Sequence, residues 1–145
     1  MTPSFPYIDT SALLKWYLPE PFSDEFAQFV ESRESAQISS LSITEFHCSV
    51  ARRERNRMLT PQQGRKVVRA FSAHVAAGHL TVLPVRDEYL THATELIDTM
   101  KQPLRTLDAL HLAIADASGC RQLATADKML AAAARAIGFQ VHTFF

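Results

Sequence analysis

The chain has 145 residues, 47% apolar and 21% charged, with 15 Lys and Arg balanced by 15 Asp and Glu. That length fits one domain able to bury a core without disulfides or a structural metal, and zero formal net charge leaves no global field to draw the molecule onto nucleic acid, so a polyanionic partner must be held by a local patch or a bound metal. No apolar run approaches a membrane span, the first residues Met-Thr-Pro-Ser-Phe-Pro do not read as a secretory leader, and Cys48 and Cys120 make no disulfide framework or CxxC pair, which favours a reducing cytosol.

Taken in order, Tyr7-Ile8 is an apolar pair running into Asp9, two hydroxyl residues, and the amphipathic run Leu13, Leu14, Trp16, Tyr17. It reads as a strand ending in a carboxylate and turning into a helix. Pro19 and Pro21 break the pattern, and Ser23 is expected to cap a helix carrying Phe26, Phe29 and Val30. Ala36 to Ser40 is a short strand, followed by a helix from Ser42-Ile43-Thr44-Glu45 through Phe46 and Val50 to a basic end. Thr60-Pro61 starts another helix, Thr at the cap and Pro at the first helical position, with Gly78 closing it. Thr81 to Val85 is a strand that Pro84 stops, and Asp87 caps the next helix. After Gln102-Pro103, a helix over about Thr106 to Ser118 is apolar on nearly every face, which marks it as central and buried. Gln122 to Thr125 is a strand, Asp127 to Ile137 a helix with Gly138 at its C-terminal cap, and Gln140 to Phe144 a final strand. Strands alternating with helices predict an α/β fold with a mostly parallel sheet.

Four acids fall where helices begin. Each has an ordinary explanation: Asp9 and Asp127 as N-caps, Glu45 as the far member of a Ser42-x-x-Glu45 capping box, Asp108 as a charge favoured by a helix start, with Arg105 as its partner. Together they predict more. In open α/β sheets ligands sit beyond the carboxyl ends of the strands. Four acids at that edge repel by roughly 4 kcal/mol per close pair at an effective dielectric near 20. A cation relieves this, and an oxygen-only donor set suits Mg²⁺ or Mn²⁺.

The segments Tyr7-Ile8-Asp9-Thr10-Ser11-Ala12-Leu13, Ser42-x-x-x-Phe46 with Glu45, Leu107-Asp108-Ala109-Leu110-His111-Leu112-Ala113 and Leu123-Ala124-Thr125-Ala126-Asp127 resemble the PIN-domain nucleases. The length and the Ala-rich closing helix with Gly138 are similar to the VapC-type toxins of toxin–antitoxin pairs. The resemblance spans essentially the whole chain. It implies a three-layer α/β/α sandwich, Mg²⁺- or Mn²⁺-dependent RNA cleavage, homodimers, and inhibition by a small cognate antitoxin. By motif position it assigns Asp9, Glu45, Asp108 and Asp127 to the acidic site, with Asp9, Asp108 and Asp127 holding metal. Thr10, Ser11 and Thr125 match the supporting hydroxyls, and Glu45 either joins the metal or orients water through it.

Substrate grip is expected from local cations: Arg52, Arg53, Arg55 and Arg57 at the end of the Glu45 helix, and Arg65, Lys66 and Arg69 on the next. Such a charged face is also what a merely solvated helix carries. Trp16 and Tyr17 are assigned to core or dimer packing ahead of base stacking. The apolar flanks of His111 assign it to the core ahead of a role as a base. Asp116 lies two turns beyond Asp108, too far along the axis to join it. A haloacid-dehalogenase-type phosphotransferase would need Asp-x-Asp after the first strand, where this chain has Asp9-Thr10-Ser11. A non-catalytic partner-binding module is the other alternative, and the presence of all four acids weighs against it.

Overall fold

The computed structural model describes residues 5–145. Within them a five-stranded, wholly parallel sheet has the order β3-β2-β1-β4-β5. The strands are β1 Tyr7–Ile8, β2 Ala36–Ser39, β3 Leu80–Leu83, β4 Gln122–Thr125 and β5 Gln140–Thr143. The helices are α1 Thr10–Leu13, α2 Ser23–Glu31, α3 Ser40–Arg55, α4 Pro61–Ala76, α5 Asp87–Thr99, α6 Thr106–Ala117 and α7 Lys128–Ala136, with a 3-10 turn at Leu14–Trp16.

β1 is central and only two residues long. It pairs Tyr7 with Gln37 on one side, and Tyr7 and Ile8 with Leu123 and Ala124 on the other. Alternation along the strand sends its two residues into different layers. Tyr7 packs in a core with Leu96 of α5, Leu110, Leu112 and Ile114 of α6, and Leu130 of α7. Ile8 packs in a second core with Leu13, Phe26, Phe46 and Phe71, contributed by α1 to α4. The result is the α/β/α sandwich expected. Both β2 and β4 flank β1, and the chain runs outward from it in both directions. The carboxyl ends of β1 and β4 are therefore a topological switch point, where open parallel sheets place their ligands.

Local chemistry sets most element ends. Thr60 and Gln63 form a reciprocal capping box ahead of Pro61. Gly78, Gly119 and Gly138 follow helices at φ of 83°, 78° and 94°, the left-handed region that glycine enters without a Cβ penalty. Three caps differ from expectation. Ser23 is the first helical residue, not the cap: its hydroxyl donates to Leu18 O and accepts from Glu20 N, closing the proline turn, while Phe22 takes the cap position at φ 70°. Extended Arg86 precedes α5, so Asp87 lies inside its first turn. The capping box of α3 is Ser39 with Ser42, not Ser42 with Glu45. The helix starts directly out of β2, which leaves Glu45 in its second turn with no capping duty.

A candidate active site at the sheet switch point

Asp9 stands between β1 and α1 with 3% of its surface exposed. Its Oδ1 accepts from Ala12 N at 3.0 Å and its Oδ2 from Thr125 Oγ1 at 2.7 Å, while Ser11 Oγ lies 2.8 and 2.9 Å from the two oxygens. The same two hydroxyls stitch β1 to β4. Ser11 Oγ accepts from Ala126 N, and Thr125 Oγ1 accepts from Asp127 N. Burial pushes the Asp9 carboxyl up, against these donors and the field of His111.

Glu45 reaches the same place from α3. Its Oε1 accepts from Thr10 Oγ1 at 2.7 Å and is bonded to His111 Nε2. Burial raises this carboxyl, but the bond and charge of His111 and the Thr10 hydroxyl outweigh it, and the group ends below the ordinary carboxylate range.

Asp108 is the third residue of α6 and accepts no hydrogen bond from any described residue. Burial first, then the fields of Asp127 and Asp9, push it up to about 6; Glu45 adds to this and His111 opposes it. Arg105, expected as its partner, stands at the cap of α6 in extended backbone, and among the described residues no ion pair joins the two. Asp127 caps α7, Oδ1 accepting from Met129 N and Leu130 N, while Oδ2 accepts no hydrogen bond from any described residue.

These elements meet at a cavity of about 420 Å³ lined by Asp9, Thr10, Ser11, Leu14, Glu45, Cys48, Ser49, Arg52, Arg105, Leu107, Asp108, His111 and Asp127. All four expected acids, separated by up to 118 residues of chain, lie in one wall set. Thr10 and Ser11 line it too, and Thr125 supports Asp9 from beneath.

The cations sort differently. Arg52 is at the cavity. Arg53 is not: its Nη2 pairs with Glu20 Oε2 at 2.9 Å. Arg57 lies past the end of α3 at φ 60°. Arg65 and Arg69 line another groove with His47, Glu54 and Gly64. Arg105 enters the cavity wall instead, a residue expected only as a partner for Asp108. Trp16 stacks on His74 with ring centroids 4.0 Å apart and planes 6° apart, and Tyr17 Oη lies 2.7 Å from His74 Nδ1. Both aromatics are committed to packing. Asp116 pairs with Arg121 and His92. His111 is buried as expected, yet one ring nitrogen faces the acids.

The donors suit a hard cation. Among the described residues no three His, Cys, Asp or Glu side chains are gathered tightly enough to cage an ion. Mg²⁺ does not require that, since it keeps several waters and binds through one or two carboxylates. Asp108 with both oxygens unengaged among the described residues, and Asp127 with one, provide such a set. Asp9 would join by releasing Ser11, whose single hydrogen is shared between its two oxygens.

A sequence profile described as PIN domain matches residues 7–136. "Ribonuclease VapC46" of Mycobacterium tuberculosis is 33% identical over 139 residues, covering 93% of this chain and 94% of that protein. Among solved structures, the sarcin-ricin loop cleaving toxin VapC20 of Mycobacterium tuberculosis aligns with a TM-score of 0.72 at 17% identity, covering 92% of this chain and 95% of that one. A toxin–antitoxin complex from Klebsiella pneumoniae aligns with a TM-score of 0.61 at 18% identity, covering 84% and 86%. At these identities the structural likeness is one of fold.

Proposed function

The chain belongs to the PIN domain family, and from that premise we propose that it is a divalent-metal-dependent endoribonuclease, the toxin of a toxin–antitoxin pair. The observation that carries this reading is the meeting of Asp9, Glu45, Asp108 and Asp127 in one cavity at the switch point.

Mg²⁺ or Mn²⁺ would be held by Asp9, Asp108 and Asp127, and when bound it supplies charge relief at the scissile phosphate. The chain's own residues do the rest. Arg52 and Arg105 stand on the cavity wall as grips for non-bridging phosphate oxygens, contacts that position RNA without reading its sequence. Glu45 Oε2 is the acceptor that orients the attacking water. That water's oxygen bonds to phosphorus, one P–O ester bond breaks, and a hydrogen of the water ends on the departing ribose oxygen. Ala12 N and Thr125 Oγ1 hold Asp9 in place, fixed dipoles that keep its orientation as the reaction proceeds.

The same reading makes a small cognate antitoxin the partner, a homodimer the working state and the cytoplasm the location. No helix among the described residues is long and apolar enough to cross a membrane.

The test is cleavage of total cellular RNA by purified protein with Mn²⁺ or Mg²⁺, the new ends mapped by sequencing. Asp9→Asn and Asp108→Asn are each expected to abolish cleavage with the circular dichroism spectrum unchanged. Full activity in either variant overturns the assignment.

A further inference from the structure

Glu45 and His111 are 66 residues apart in sequence and bonded in space. His111 is buried, and both ring nitrogens are used. Nδ1 lies 2.7 Å from Tyr7 Oη, and Nε2 is bonded to Glu45 Oε1. Tyr7 has a single hydroxyl hydrogen and donates it to Ser39 Oγ at 2.9 Å. Its oxygen therefore only accepts from His111, which places a hydrogen on Nδ1. Nε2 then needs a proton between itself and Oε1, since two bare lone pairs would repel. Thr10 Oγ1 donates to the same Oε1, so two groups converge on one oxygen of Glu45. Oε2 accepts no hydrogen bond from any described residue. The Glu45 side chain is 24% exposed and that of His111 3%, so the carboxylate forms the cavity wall and the imidazole backs it. The terminal torsion of a glutamate is broad and roughly two-fold; without these anchors the carboxylate would turn freely.

We propose that His111 is a positioning residue of this nuclease: with Thr10 it clamps Glu45 Oε1, so that Oε2 is the atom presented to the attacking water. The proposal rests on the nuclease reading of the cavity. The line of contacts Ser39–Tyr7–His111–Glu45 anchors a side chain of α3 to β1, β2 and α6. A buried imidazole needs partners for its ring nitrogens in any role; core filling alone does not require that one of them be a carboxylate on the cavity wall.

Two substitutions separate the roles. Asn puts its amide nitrogen near the place of Nδ1, and Gln puts it near the place of Nε2. His111→Asn therefore keeps the bond to Tyr7 and loses the one to Glu45, while His111→Gln does the reverse. With Mn²⁺ and a fluorogenic RNA oligonucleotide carrying a mapped cleavage site, His111→Asn is expected to lower kcat roughly 10- to 100-fold with KM little changed. His111→Gln is expected to recover most of that loss. Full activity in His111→Asn, or equal losses in the two variants, overturns the proposal. Imidazole ¹⁵N spectra of the metal-free protein supply a readout independent of catalysis. A hydrogen is expected on Nδ1 of His111, with the Nε2 signal moving on Glu45→Gln; a bare Nδ1 overturns the proposal. Asp108→Asn is run alongside. If it abolishes cleavage while His111→Asn stays fully active, the positioning role fails alone; if Asp108→Asn too stays fully active, the nuclease reading fails, and the spectra still judge the His111 contacts.

Discussion

Asp108 carries the least compensated charge in the cavity. Asp9 is more deeply buried but is met by Ser11, Ala12 and Thr125, and Glu45 is met by Thr10 and His111. Asp108 has burial and three acidic neighbours working against its ionised form. A carboxyl whose native pKa is raised binds its proton more tightly when folded, so stability is lost as pH rises between the unfolded and native values. For Asp108 that window runs from 3.8 to about 6. The metal-free protein is therefore expected to melt at progressively lower temperature across this range and to gain nothing above it from this group. Asp108→Asn removes the ionisation and is expected to melt higher than wild type at pH 7.5 in EDTA while losing cleavage. Thermal melts from pH 4 to 8 check this, and a lower melting temperature for the variant at pH 7.5 would contradict it. The acid itself was legible from Leu107-Asp108-Ala109. Its lack of a partner was not, because Arg105, three residues earlier, has the right charge, and only the extended backbone at the α6 cap turns it toward the cavity wall instead.

Elements deliver these side chains at fixed angles. α6 is buried from Ala109 through Ala115, so its rotation about its own axis is set by packing in the core. One turn separates Asp108 from His111 on a helix of about 3.6 residues per turn, and both reach the same cavity. α3 behaves similarly. Because Ser39 and Ser42 satisfy its first turn, Glu45 is free to face inward, and Cys48, one turn later, lines the same wall. Cys48 is exposed and Cys120 buried. Alkylation with a bulky maleimide is accordingly expected to modify Cys48 first and to block RNA cleavage by filling the cavity, while Cys48→Ser stays active and resists the reagent. Mass spectrometry locates the adduct, and an alkylated protein that still cuts RNA at the wild-type rate would refute the placement. The arginines show where pattern reading stops. A run of charges gives a helix its basic end but not the partner of each residue: Arg52 reaches the cavity, Arg53 is drawn off by Glu20, and Arg65 and Arg69 of α4 line a separate groove.

At the scale of the whole molecule, neutrality and the acidic cavity go together. With zero net charge, long-range attraction to RNA is absent, and a cation at the cavity would both relieve the acids and attract phosphate. Binding to the folded state alone stabilises it by about 2.7 kcal/mol at a ligand concentration 100 times Kd. Mn²⁺ or Mg²⁺ is therefore expected to raise the melting temperature in a concentration-dependent way, EDTA to reverse the shift, and Asp9→Asn or Asp108→Asn to remove most of it. Calorimetry at pH 7.5 measures this; a shift of wild-type size in both variants would place the cation elsewhere.

The order of strands and helices, the buried character of α6, and the placing of three acids at or just beyond helix starts are all written in the chain. All of these depend on local forces: periodic burial, proline and glycine backbone limits, and capping chemistry acting over a few residues. Which oxygen of each acid is occupied, which face His111 presents, and which arginines see the cavity are settled only once the chain is folded. Those follow from contacts made across 35 residues in Thr10–Glu45, 66 in His111–Glu45 and 116 in Thr125–Asp9. Pairing of the parallel strands and the rotation of packed helices set such contacts, and no local pattern along the chain encodes either one.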